Sequence, residues 1–343
     1  MPIDPAKPFD LTFTVDPSWN GLRLDRFVKA MVPAMSRTKI QRYIKAGRVE
    51  VNAVSRSANW RVRTADTVLL RCNVPEEGAD AGKRIPLDIL FEDDDIVAVN
   101  KQPGLVVHPV SLHRHDTLLN ALYWRYKDEL PEDQELSLAN RLDEQTSGVI
   151  LATKHAHAKR LLQEQFEART PRKAYLALCV GLVAADTDVI DLPLGPAPDE
   201  GDRCQIAVRT DDAGKPSSTR FVVLERFDAP AALGTPAGYT LVRLEPKTGR
   251  QHQLRVHMAA QGHALLCDPR YGRPEPLAAV SPTGGRAVLS RTALHAAELS
   301  FRHPRTDAPM TVRASLPADM RDLLDGLRRG WRIEVGAAKA SDA

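Results

Sequence analysis

Cysteine is scarce: Cys72, Cys179, Cys204 and Cys267 are the four in 343 residues, with no C-x-x-C pair and no histidine at zinc-finger spacing. A disulfide scaffold and a cysteine-built metal site are thereby excluded, and the four read as reduced, structural residues. Long apolar runs are also lacking. None approaches the roughly 18 residues needed to span a bilayer, and Met1-Pro-Ile-Asp-Pro-Ala-Lys-Pro has no apolar core of a signal peptide. A cytoplasmic protein without membrane contact is expected. No G-x-G-x-x-G, P-loop or H-E-x-x-H occurs, which argues against a nucleotide cofactor and against zinc catalysis. The 25 prolines are scattered and no internal repeat is evident, so fibrous and solenoid classes drop out.

What remains is an ordinary globular composition, 43% hydrophobic and 27% charged, in a chain long enough for two domains. The net charge is only +3, but it is unevenly spread. Residues 21–72 hold twelve Lys/Arg against three acids, a net +9, which leaves −6 for the rest of the chain. A small basic module on a mildly acidic body is the electrostatic footprint of a nucleic-acid-binding appendage.

Within that module Leu22, Phe27, Val28 and Met31 form the apolar side of a first helix ending at Pro33. Ser36 is positioned to cap a second helix running through Ala46, and Gly47 stops it. Strands follow at Val49 to Val51 and from Thr67. Lys39, Arg42 and Lys45 recur at three-residue spacing and, with Arg37 and Arg48, are the candidate phosphate-binding cations. The pattern Ser36-Arg37-Thr38-Lys39-Ile40-Gln41 leading into Ile44-Lys45-Ala46-Gly47-Arg48-Val49-x-Val51-Asn52 resembles an S4 RNA-binding domain. Residues 1–20 then read as an amino-terminal extension, 21–73 as the S4 module, and 74–84, rich in Gly, Pro, Asp and Glu, as a linker.

Residues 85–333 read as a second domain, and 334–343 as a disordered tail. Strands are expected at Ile89–Phe91, Ile96–Val99, Val149–Ala152, Ala174–Val180, Arg220–Leu224 and Tyr239–Leu244, with helices at Leu118–Tyr126 and Ala156–Ala168. Strands outnumber helices in an order too irregular for βαβ winding. The fold class is therefore α+β, with a mixed, mainly antiparallel sheet. Residues 196–214 and 273–291 read as loops from their Pro, Gly and Asp content.

Chemistry concentrates in three segments. Asn140-Arg141-Leu142-Asp143-Glu144-Gln145-Thr146-Ser147-Gly148 sets a carboxylate in a polar loop just before an apolar strand. On these residues alone, Asp143 capping a turn with Thr146 and Ser147 stays open. Arg172-Lys173-Ala174-Tyr175-Leu176 puts Tyr175 on the opposite face of a strand from Leu176. In Lys247-Thr248-Gly249-Arg250-Gln251-His252-Gln253-Leu254-Arg255-Val256-His257-Met258, Thr248 is placed to cap a helix. His252 and His257 lie roughly 140° apart on such a helix and cannot clamp one metal. Arg255, beside the buried-side Leu254, is placed to meet a carboxylate from another segment.

Together these segments resemble the RluA/RluD family of pseudouridine synthases. The likeness rests on Val99-Asn100-Lys101-x-Pro103-Gly104-Leu105-Val106-Val107-His108-Pro109, on Arg141-Leu142-Asp143-x-x-Thr146-Ser147-Gly148, and on Thr248-Gly249-Arg250-x-His252-Gln253-Leu254-Arg255. Gly262-His263, Asp268-Pro269-x-Tyr271-Gly272 and Leu294-His295-Ala296 extend it. The resemblance implies isomerisation of uridine to pseudouridine in RNA without metal or organic cofactor, in large-subunit ribosomal RNA or its precursor particles, by a monomer. It implies Asp143 as the catalytic aspartate, Tyr175 as the tyrosine stacking on the base, Arg255 as the partner of the aspartate and Leu254 as the pocket floor. It also implies that Arg141 enters the space of the flipped nucleotide and that Lys101, His108 and Arg250 bind substrate. Two positions depart from the family: Asn140 stands where histidine is usual, and Gln102 where proline is common. The competing classes are a non-catalytic RNA-binding factor for ribosome assembly and a uracil-removing glycosidase, which would release the base that a synthase retains.

Overall fold

The computed structural model describes residues 9–32, 35, 37–72, 84–109, 113, 115–127, 129, 136–198, 205–228 and 238–336. It divides into two compact units, residues 1–77 and 78–343.

In the first unit β1 (Phe9–Thr14), α1 (Leu24–Met31), α2 (Arg37–Lys45), β2 (Val49–Val51), β3 (Val54–Ser55) and β4 (Thr67–Cys72) build a four-stranded sheet of order β1-β4-β2-β3. The sequence reading left Phe9–Thr14 outside the module, but Phe-Asp-Leu-Thr-Phe-Thr alternates with period two and pairs with β4 along its whole length. Leu24, Phe27, Val28, Ile40, Tyr43 and Ile44 bury one side of both helices against Val49, Val51, Val68 and Leu70. On α1, fully buried Asp25 accepts hydrogen bonds from Arg23, Arg37 and Gln41. Burial raises its pKa, but those donors outweigh it and hold the carboxyl at about 2. Ser36, residues 74–83 of the expected linker and the residues after 336 lie outside the described residues.

The second unit runs β5 (Asp88–Glu92), β6 (Ile96–Lys101), α3 (Leu118–Tyr126), β7 (Ser137–Leu138), β8 (Ser147–Thr153), α4 (Ala156–Glu167), β9 (Arg172–Val180), β10 (Thr187–Asp191), β11 (Leu194–Pro196) and β12 (Ile206–Val208). It continues with β13 (Ser218–Asp228), β14 (Gly238–Pro246), α5 (Gln253–Ala260), β15 (Leu277–Val280), β16 (Arg286–Leu289), β17 (Leu294–Arg302), β18 (Pro309–Arg313), α6 (Ala318–Arg328) and β19 (Arg332–Val335). A ten-stranded sheet has the order β10-β13-β14-β9-β17-β8-β6-β5, with β18 on β17 and β7 on β8. All its pairings are antiparallel except β8 with β17, so the sheet is mixed, as expected. Both segments read as loops contain short strands: β12 in one, β15 and β16 in the other. Leu277, Ala279, Ala287 and Leu289 earn those strands by facing a core shared with Met320, Leu323, Leu324 and Leu327 of α6. No helix among the described residues is long and apolar enough to cross a membrane.

The parallel contact between β8 and β17 joins the two halves of the sheet, and it needs Gly148. With φ +113°, this glycine packs so close that a Cβ there would lie 2.2 Å from the Ala296 carbonyl oxygen. The polar loop carrying Asp143 ends at this seam.

Candidate active site

The loop before β8 is held by its own backbone oxygens. Lys101 Nζ donates to Glu144 O at 2.8 Å, Gly104 N–H to the same oxygen at 2.9 Å, and Arg291 Nη1 to Gln145 O at 3.0 Å. Arg291 is in turn gripped by Asp319. The turn itself closes through Thr146 N–H on the Asp143 carbonyl at 3.1 Å. The turn therefore does not require the Asp143 carboxylate as a cap, and that side chain reaches elsewhere.

It reaches Arg255 on α5. Arg255 Nη1 donates to Asp143 Oδ2 at 3.0 Å, across 112 residues of sequence. Asp268, fully buried, grips the same guanidinium with both oxygens, Oδ2 to Nε and Oδ1 to Nη2, each at 2.7 Å. Burial works against the Arg255 charge, but the two carboxylates outweigh it and raise its pKa. Asp268 is lowered despite its burial, because Arg255 and the backbone N–H groups of Arg270 and Tyr271 stabilise its anion. The result is a chain Asp268–Arg255–Asp143 in which the terminal carboxylate, one-third exposed, faces the cleft.

The cleft has a volume of about 630 Å³ and is lined by Arg141, Asp143, Tyr175, Arg250, Leu254 and Arg255 among others. The sequence-predicted residues are thus brought together from β9, α5 and two loops. Tyr175 lies on β9, registered against Ala296 of β17 and Leu244 of β14, and bridges the two apolar clusters on either side of that seam. Burial and, secondarily, the Asp143 charge push its phenol well above the ordinary range, so it stays protonated at neutral pH. Leu254, 7% exposed, belongs to the second of those clusters. Arg141 is exposed at the mouth. Arg250 Nε is buried with no hydrogen-bond partner, an unsatisfied donor beside the cleft. Arg169, Lys173 and Lys247 add three cations that the sequence reading did not assign, giving the walls the sign that attracts a phosphodiester backbone.

Two expected substrate ligands do not reach the cleft. Lys101 is 1% exposed, and its ammonium donates to the carbonyls of Gln102, Leu105 and Glu144, which uses all three of its donors. Burial and the Arg291 charge bring its pKa down to about 7. It positions the Asp143 loop rather than substrate. His108 is half-buried and is not among the cleft's walls; burial and the nearby Arg141 charge lower its pKa. On the S4 unit Lys45 is exposed, Arg37 is engaged with Asp25, and Arg48 lies over the Tyr43 ring at 5.0 Å. The side chains of Lys39 and Arg42 lie outside the described residues.

Other local expectations meet mixed outcomes. Asn140, the departure from the family, accepts from Leu151 N–H at 2.8 Å and donates to Val149 O at 3.2 Å, clamping the start of β8. Thr248 does not cap α5; its hydroxyl donates to Gln253 Oε1, and the N-cap is His252. His252 turns to Asp143 and Tyr271, whereas His257 is buried against Thr219 and Leu192 O, so the two serve different partners. Buried His295 bonds Ser147 Oγ through Nδ1 and the Ala314 carbonyl through Nε2, bracing the β8–β17 seam. Cys179 and Cys267 are free and buried; burial raises both thiols, that of Cys267 to about 11. Among the described residues, Asp93, Asp95 and His303 could bring three ligand atoms within 4.8 Å, yet Arg305, His155 and His303 already pair with those carboxylates.

A carboxylate held by a buried arginine, beside a protonated tyrosine and Leu254 under cationic walls, is chemically suited to a planar base on a polyanionic strand. The sequence model of the RNA pseudouridylate synthase family matches residues 95–260, and that of the S4 domain matches residues 22–68. The chain belongs to the RNA pseudouridylate synthase family, enzymes that isomerise uridine in RNA, and carries an S4 domain before its catalytic unit. It is 34% identical over 321 residues to the ribosomal large subunit pseudouridine synthase D of Nitrosomonas europaea, across 93% of this chain and 88% of that protein. The protein of the same name from Escherichia coli K12 is 34% identical over 327 residues, across 94% and 96%. Among solved structures, human RNA pseudouridylate synthase domain containing 1 superposes with a TM-score of 0.54 at 27% identity, across 76% of this chain and 93% of that one.

Proposed function

We propose that this enzyme isomerises selected uridines of large-subunit ribosomal RNA, as a cytoplasmic monomer, with Asp143 as its catalytic carboxylate. The observation that carries the assignment is the Arg255 Nη1 to Asp143 Oδ2 contact at 3.0 Å, backed by the bidentate clamp of Asp268. The target RNA is inferred from the names of the two bacterial relatives, each similar over most of its length.

Isomerisation breaks the bond from C1′ to N1, turns the uracil and joins C5 to C1′, so the proton on C5 leaves and N1 gains one. The site must hold a carboxylate against the sugar and keep the detached base from escaping. Arg255 holds the Asp143 carboxylate in one orientation, which removes its reorganisation from the barrier. Tyr175 and Leu254 enclose the ring from its faces, and Arg141 at the mouth fills the stack that the flipped nucleotide leaves. Arg250, Lys173 and Lys247 take the flanking phosphates, with Arg250 Nε gaining its missing acceptor. The exposed Lys45 of the S4 domain contributes to a second, sequence-independent hold on the RNA.

The test is to incubate unmodified large-subunit RNA, free and in assembled subunits, with the protein and to map pseudouridines by a chemical block to reverse transcription. Discrete new sites support the proposal. RNA binding without new sites moves the protein to the assembly-factor class, and release of free uracil to the glycosidase class.

A further inference from the structure

His252, the N-cap of α5, is in a left-handed conformation, φ 53° and ψ 16°, uncommon for a non-glycine residue. Its side chain is held by Tyr271. The Tyr271 hydroxyl lies 2.7 Å from His252 Nδ1, and the two rings meet edge to face with centroids 5.5 Å apart. Tyr271 is itself fixed at three points. Its Oη accepts the backbone N–H of Ile206 on β12 at 3.0 Å. Its backbone N–H donates to Asp268 Oδ1 at 3.1 Å, and its ring carries the Arg255 guanidinium 5.0 Å above the centroid.

The direction of this chain follows from counting protons. The Ile206 N–H occupies one lone pair of the Tyr271 oxygen, and the hydroxyl hydrogen still needs an acceptor. His252 Nδ1 is the acceptor that the described residues offer, and it accepts only when it carries no proton. A neutral imidazole then holds its single proton on Nε2, the nitrogen that faces Asp143 Oδ2 at 3.9 Å. Burial keeps His252 neutral by lowering its pKa; the Arg255 and Arg270 charges act the same way, while Asp143 and Asp268 oppose them.

We propose that Tyr271 is a positioning residue for the reaction: its hydroxyl fixes His252 as the Nε2–H tautomer and aims that N–H at Oδ2 of Asp143. The Arg255 contact falls on the same oxygen, so both protein donors gather on one side of the carboxylate and the other oxygen is left to face the nucleotide. The 3.9 Å separation becomes a hydrogen bond after a shift of about 1 Å, the kind of tightening that substrate binding brings. The inference rests on Asp143 being the working carboxylate, and it adds that β12 reaches that carboxylate through two hydrogen bonds and an imidazole.

Tyr271→Phe removes the hydroxyl and keeps the ring under Arg255. In the wild type, nitrogen-15 NMR of histidine-labelled protein is expected to show His252 protonated at Nε2, and the variant should lose that preference. The single-turnover rate on RNA should fall by roughly 10–100-fold with RNA affinity unchanged, as when a buried orienting partner is removed. In a His252→Ala background, Tyr271→Phe should bring no further loss, because the hydroxyl acts through the imidazole. A wild-type His252 protonated at Nδ1, or the same loss from Tyr271→Phe with and without His252, overturns the proposal. The tautomer is read without turnover, so failure of the Asp143 assignment, seen as activity retained by Asp143→Asn, is distinguishable from failure of this one.

Discussion

Replacing Asp268 by asparagine tests the clamp that orients the site. Oδ1 of Asp268 accepts from Arg255 Nη2 and from the backbone N–H groups of Arg270 and Tyr271, so the asparagine oxygen should take that place. The asparagine NH₂ then falls where Oδ2 accepts from Arg255 Nε at 2.7 Å, setting donor against donor. One charge-assisted hydrogen bond is lost, worth about 1.5–3 kcal/mol, and the buried arginine keeps only Asp143 as a full counter-charge. Removing one partner of a buried pair costs about 3–5 kcal/mol; because the asparagine retains one acceptor, we expect about 3 kcal/mol, the low end. The rate should suffer separately, since a displacement of the Asp143 carboxylate by about 1 Å, if it is the reacting group, costs on the order of 100-fold. Urea unfolding measures the first effect. Tritium released from RNA labelled at uridine C5, under single-turnover conditions, measures the second. Wild-type stability together with a wild-type rate would refute the idea that Asp268 holds Arg255 for Asp143.

Gly148→Ala should destabilise the protein by about 3 kcal/mol or more and abolish turnover, because both φ and the Ala296 backbone forbid the added carbon; unfolding and tritium release check it, and an unchanged protein would contradict it. Lys101 releases its proton near 7 when folded and near 10.5 when unfolded, so between those values the unfolded chain binds more protons and stability should rise with pH. Lys101→Met should flatten that rise in urea titrations at pH 7, 8.5 and 10, and an identical slope would count against the buried ammonium. Lys45→Ala on the S4 domain should lower the dependence of RNA affinity on salt by about one unit of slope if it meets a phosphate; an unchanged slope removes it from the interface.

Much of this was legible in the sequence, and the exceptions have physical causes. Leu118–Tyr126 carries its own capping box, Thr117 with Asn120, and α4 shows a period close to 3.6, so both helices could be placed within a residue or two. Strand β17, Leu-His-Ala-Ala-Glu-Leu-Ser-Phe-Arg, escaped because alanines and a buried histidine blur its alternation; its strand character comes from three neighbours in the sheet. Strands β15 and β16 were hidden by flanking Pro and Gly, although Leu277 and Ala279, like Ala287 and Leu289, do alternate toward one core. Asp143, Tyr175, Leu254 and Arg255, which the structure brings to one cleft, could be picked out through their motifs. Their convergence was not visible locally, because the bond that joins them spans 112 residues. Asp268 lay in plain sight in Asp-Pro-x-Tyr-Gly, but only a folded α5 shows that its carboxylate meets Arg255. Lys101 was expected to bind substrate because it sits in a family motif, and its burial against three carbonyls can be read only from the fold.

The measurement that bears most directly on the account is the single-turnover rate of Asp143→Asn on RNA that the wild type modifies, with affinity for that RNA determined in parallel. The account predicts a loss of at least about 1,000-fold in rate with binding preserved, as expected when a group acting only in the transition state is removed. A variant that still makes pseudouridine at a rate near that of the wild type would contradict it.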